Sequence, residues 1–158
     1  MKTTILLCLA GLLIALHSNA QNTYVVLLEN SEVQKLRAFI RADKDAKYLA
    51  DSILHEGNKA LTAEPNPVDT IYYEGLLDTN PKRIETTKSL DDMDMLTNLI
   101  YSGYIISNEK IGAKVRDFVT AWASTYKATG NPINENKFVD LIWGYHLCRN
   151  QFNSNQPR

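Results

Sequence analysis

Between residues 111 and 126, Ile111, Val115, Phe118, Val119, Trp122 and Tyr126 recur at spacings of three and four. Only an α-helix puts such positions on one side, so this segment must bury one face against other elements. The neighbouring segments carry the same period. Val33, Leu36 and Ile40 mark a helix opened by Ser31 with Gln34 three residues on, the form of a capping box. Ala46, Leu49, Ala50, Ile53 and Leu54 predict a second helix from about Asp45 that weakens near Gly57. Leu90, Met93, Leu96, Ile100 and Tyr104 predict a third, ending near Ser107-Asn108. Its start is read at Ser89, with Asp92 three residues later and Asp91, Asp92 and Asp94 suited to the positive end of the helix dipole. A metal site at this acidic cluster is the lesser alternative. Gly130 and Pro132 should end the fourth helix. A fifth is read from an N-cap at Asn134, with Phe138, Leu141, Ile142, Tyr145, Cys148 and Phe152 on its buried face.

The fold class that follows is all-α, built of stacked helical hairpins. Residues 62–88 lack a helical period and contain Pro65, Pro67, Gly75 and Pro81, so they are expected to form a long irregular connection. A short strand-like run, Tyr24–Leu28, precedes the first helix, and the polar stretch from Asn153 to Arg158 should fray. No tetratricopeptide period, zinc spacing, Walker loop, dinucleotide-binding glycine pattern or nucleophile elbow occurs.

Residues 1–20 read as a secretory signal: Lys2, the apolar run Ile5–Leu16, then Ser18-Asn19-Ala20 as the cleavage site. The run is shorter than the roughly 20 residues of a membrane span. Cys8 lies inside it and not at a cleavage boundary, which argues against a lipid anchor. The exported part, 21–158, would be one domain without a membrane span, located in the periplasm or secreted. Cys148 is then its only cysteine, so no internal disulfide is available. Of 17 lysines and arginines, 16 remain once Lys2 leaves, against 18 acidic residues, a balance that excludes a nucleic-acid partner.

Two segments go beyond generic hairpins. Pro65-Asn-Pro-Val-Asp-Thr-Ile-Tyr-Tyr-Glu-Gly75 continues through Asn80-Pro-Lys-Arg-Ile-Glu-Thr-Thr-Lys-Ser-Leu-Asp-Asp-Met93, and Ala121-Trp-Ala123 is followed by Thr129-Gly-Asn-Pro-Ile-Asn-Glu135. In this order and spacing they resemble the N-terminal half of the alginate lyase domain family, the chondroitin AC/alginate lyase-like polysaccharide lyases. The resemblance runs from about Asp45 to Phe152. It implies an α/α toroid of helical hairpins around a substrate cleft, here incomplete because five helices supply fewer than half of a six- or seven-hairpin ring.

Such lyases cleave uronic-acid chains by β-elimination, taking the proton at C5 and expelling the oxygen at C4. A group must neutralise the carboxylate, a His or Tyr must act as base, and a Tyr as acid. The resemblance places an Asn-His pair and the Tyr beyond the matched region, and this chain has no Asn-His dipeptide. His55 and His146 read as surface or helix-packing imidazoles. The catalytic residues are therefore left unassigned, no cofactor or metal is called for, and the chain alone is expected to be inactive.

Sugar contact is a better prospect for Tyr72, Tyr73, Glu74, Asn131, Asn134 and Glu135, which fall on loops at hairpin ends, since aromatic faces and amides suit pyranose rings. Their structural roles compete: Asn134 as a helix cap, Asn131-Pro132 as a turn, a tyrosine as core. Lys82, Arg83 and Lys88 could draw in an anionic polysaccharide, although Asp78, Glu85 and Asp91 dilute their field. Trp122 is assigned to the core. The other function considered is a non-catalytic helical module that binds a glycan or protein, or self-associates, through the open face of its hairpin stack.

Overall fold

The computed structural model describes residues 28–153, so the signal segment, Cys8, most of the strand-like run and all of the polar tail after Asn153 lie outside the described residues. Among those described, every regular element is helical. Helix α1 spans Asn30–Ala42, α2 Lys44–Thr62, α3 Pro81–Ile105, α4 Glu109–Thr125, the one-turn α5 Pro132–Glu135, and α6 Val139–Asn153 after a 3-10 turn at Asn136–Phe138. Among the described residues no helix is long and apolar enough to cross a membrane.

Helix starts are fixed by side chains that take up the otherwise unpaired first-turn amides. Asp43 caps α2 through Ala46 N (2.8 Å), Asn80 caps α3 through Lys82 N (3.0 Å), and Asn108 caps α4 through Lys110 N (3.0 Å). The Ser31–Gln34 box is not used. Helix α1 begins earlier, at Asn30, and Glu32 reaches back to accept from Glu29 N (2.8 Å).

The largest correction concerns α3. It starts at Pro81, so the irregular connection is 63–80 and residues 81–88 are helical. Proline is at home in a first helical turn, where its missing N–H would be unpaired anyway. Ser89 and Asp92 therefore cap nothing and are buried in mid-helix. Helix α2 likewise passes through Gly57 without weakening. A Cβ there would lie 2.1 Å from Ser102 Oγ, so the glycine is what lets α2 and α3 cross closely.

Helix α3 is the hub, packing against α1, α2, α4 and α6. One apolar cluster gathers Leu96, Leu99 and Ile100 of α3 with Ile111, Val115, Phe118 and Val119 of α4 and Cys148 of α6. A second joins Ile71 from the connection to Met93, Trp122 and Phe138. Trp122 is fully buried, as its place in the apolar stripe required, and meets Phe138 edge-on at 5.3 Å.

The face of α6 differs from expectation. Ile142 and Tyr145 are 63% and 52% exposed, while Leu141, Gly144 and Cys148 turn inward. Gly144 has no side chain to hold α6 off, and Leu96 and Val119 come within 3.2 Å of where its Cβ would be. The preceding 3-10 turn, with three residues per turn, also resets the phase of the stripe. The side chain of Phe152 lies outside what the structure describes.

Candidate functional site

The connection 63–80 and the turn 126–138 come from distant parts of the chain and meet at one end of the molecule. Asn134, buried at 8% exposure, joins them. Its Oδ1 accepts from Tyr73 N and Glu74 N (both 3.3 Å), and its Nδ2 donates to Ile71 O (3.0 Å). Asn131, not Asn134, caps the following turn, accepting from Ile133 N (2.9 Å), and its Nδ2 donates to Glu74 Oε2 (2.7 Å). Glu135 folds back to accept from Thr129 N (2.6 Å) and Gly130 N (2.9 Å). Those two amides hold its carboxyl below the usual range. Gly130 sits at φ +74°, which explains the glycine in this turn.

Five of the six residues singled out from sequence are thus brought together, but Glu74, Asn131, Asn134 and Glu135 spend their polar groups on one another and on the main chain. Tyr72 points elsewhere. Its amide donates to Thr86 Oγ1 (3.0 Å), and the Lys82 ammonium sits 4.6 Å from its ring centre. The pinned loops instead set the position of Tyr73, whose ring lies under two cations, the Arg83 guanidinium at 4.5 Å and the Lys137 ammonium at 4.4 Å. Arg83 is itself held by Leu76 O (2.6 Å), Tyr73 O (3.2 Å) and the Asp78 carboxylate (2.9 Å).

Two adjoining depressions of about 380 and 400 Å³ share Tyr73, Thr87 and Asp91 and form a polar groove beside this ring. Asp78, Asp91, Asp94 and Asp140 line it against Arg83, Lys88 and Lys137, so the groove carries both signs in near balance. Lys137 and Asp140 escaped sequence reasoning, because nothing local marks them; only the turn that Asn134 organises brings them to Tyr73. His55 lies exposed on α2 and His146 is partly buried on α6, and neither lines the groove.

Beneath the groove, Asp92 turns away from Asp91 and Asp94 into the protein. Its Oδ2 accepts from Trp122 Nε1 and from Asn66 N, each at 2.7 Å, and Ser89 Oγ donates to Asn66 O. Burial pushes the Asp92 carboxyl above its usual range, against the opposing effect of these two donors. The acidic run is therefore neither a helix start nor a gathered ligand set. Among the described residues no three or more His, Cys, Asp or Glu side chains are grouped to hold a metal ion.

Comparison with protein-family models, with curated proteins and with solved structures returns no match.

Proposed function

We propose that this chain is an exported member of the polysaccharide-lyase class, corresponding to the N-terminal part of an α/α toroid and lacking the residues for β-elimination. The motif resemblance motivates this reading, and the observation that carries it furthest is the outer side of α6. Val139, Ile142 and Tyr145 follow one another at helical spacing there and are exposed. An apolar stripe on the last helix of a hairpin stack is what a following hairpin would cover. The polar groove supports it more modestly: Tyr73 offers an aromatic surface between cations that suit a uronate, with the acidic rim tempering attraction to a polyanion.

The same α6 stripe favours the second reading, a non-catalytic module that docks a glycan or a protein, or pairs with itself. Both readings expect no new absorbance from unsaturated uronate ends when the purified chain is mixed with alginate or glucuronan. Retarded migration of the chain in alginate-containing gels, lost in Tyr73→Ala, supports glycan contact at the groove. Elimination product from this chain alone would show that a catalytic centre is present and defeat the proposal. Unchanged migration on every uronate polymer would remove the substrate class.

A further inference from the structure

Among the helices of more than one turn, α1 alone has no buried residue, and it packs against α2 and α3 only. Val33 and Leu36 lean on the edge of the main cluster, while Phe39 stays exposed. A mainly apolar depression of about 520 Å³ lies between α1 and its two neighbours, so the helix stands off from them instead of closing on them. Close-packed interiors leave few voids larger than a water molecule, and this one marks a weak layer.

Among the described residues, one side chain of α1 carries the hydrogen bonds that cross to another helix. Arg37 donates through Nε to Tyr104 O (2.8 Å) and through Nη2 to Gly103 O (3.4 Å). Helix α3 ends at Ile105, so both acceptors are last-turn carbonyls, which the helix itself cannot pair. Nor does α3 carry a basic residue in that turn. The guanidinium supplies from α1 the donors and the positive charge that suit the end of α3. Beyond Ala42, α1 joins α2 through Asp43 alone, an extended residue (φ −113°, ψ 129°) that ends one helix and caps the next. Rotation at a residue between two helices reorients one against the other without breaking the bonds inside either.

We propose that α1 is a hinged arm that swings as a unit about Asp43, with Arg37 on the end of α3 as its catch. Closed, the arm shields Ile53 of α2 and Tyr104 of α3; open, it uncovers them. The device is independent of the lyase reading, because it involves only α1 and the two helices it touches.

Amide hydrogen exchange on the purified chain tests it. The hydrogen-bonded amides of α1 should share one level of protection, at least about tenfold below that of α3 and α4, because a single opening exposes them together. Arg37→Ala removes the catch and should speed exchange throughout α1 by about a further tenfold. Arg37→Lys, a cation without the fork, should fall between. Ile71→Val, a mild change in the second cluster away from α1, should speed the α3 and α4 amides severalfold and leave α1 at its parent rate, since the arm opens while the core stays folded. The proposal is overturned if α1 is as protected as α3 and α4, or if its protection is graded from one end to the other, which is fraying. It is overturned equally if Arg37→Ala leaves α1 unchanged, or if Ile71→Val speeds α1 together with the core.

Discussion

Replacing Asp92 by alanine tests whether the buried carboxylate holds the connection and α4 against the hub. The substitution removes the acceptor for two donors, and they fare differently. Asn66 is an exposed residue whose amide can turn to water, but Trp122 is fully buried and its indole N–H is left dry. A buried unsatisfied donor costs about 1–3 kcal/mol, and the small void left by the carboxyl roughly 1 kcal/mol more. Relief of the desolvated charge offsets part of this, so the net loss at pH 7 is about 2 kcal/mol, or about 4–8 °C in Tm for a chain of this size. The pH dependence supplies a second handle. Because burial raises the folded-state pKa of Asp92 above 3.8, the native protein holds this proton more tightly than the unfolded chain. The parent should therefore lose stability as pH rises from below 4 through the raised pKa and then level off. Asp92→Asn keeps an oxygen for Trp122 Nε1 and should abolish that decline. Chemical denaturation across pH 3–8, with Trp122→Phe in both backgrounds, measures each quantity. The reasoning fails if Asp92→Ala lies within about 0.5 kcal/mol of the parent, or if Trp122→Phe costs the same with and without Asp92.

Gly57→Ala should destabilise by about 1–3 kcal/mol, because its Cβ would fall 2.1 Å from Ser102 Oγ and 3.3 Å from Asn98 O. Adding Ser102→Ala should recover only part, since Ser102 Cβ is itself 3.0 Å away; denaturant midpoints read both. Asn134→Ala breaks three bonds to the main chain at residues 71, 73 and 74 and should cost about 2–3 kcal/mol. Limited proteolysis should then cut within 71–80 before any helix is cleaved.

What the sequence disclosed follows how local each signal is. The stripe from Ile111 to Trp122 is a periodic pattern on a single helix, so α4 and its buried tryptophan were legible at once. The start of α3 was not, because Pro81 reads as a breaker unless Asn80 is recognised as its cap, and Ser89 with Asp92 imitates a capping box in mid-helix. Ile142 and Tyr145 were misassigned inward for a related reason: apolar character alone does not reveal that Gly144 sets the contact face of α6. At the candidate site, loop placement drew attention to the right neighbourhood. Within it Asn131 and Asn134 fasten the loops and Lys137 reaches Tyr73 through pairings across some 60 residues that no local pattern encodes, whereas the Arg83–Tyr73 and Glu135–Gly130 contacts are local.

Cys148 packs at the centre of the main cluster, and burial pushes its thiol up to about 11. At neutral pH roughly one molecule in 10⁴ carries the reactive thiolate, and a reagent must still reach it. A thiol-alkylating agent thus finds Cys148 silent until α6 lifts from α3 and α4. Among the described residues this is the only thiol, and its rate of capture counts how often that layer comes apart.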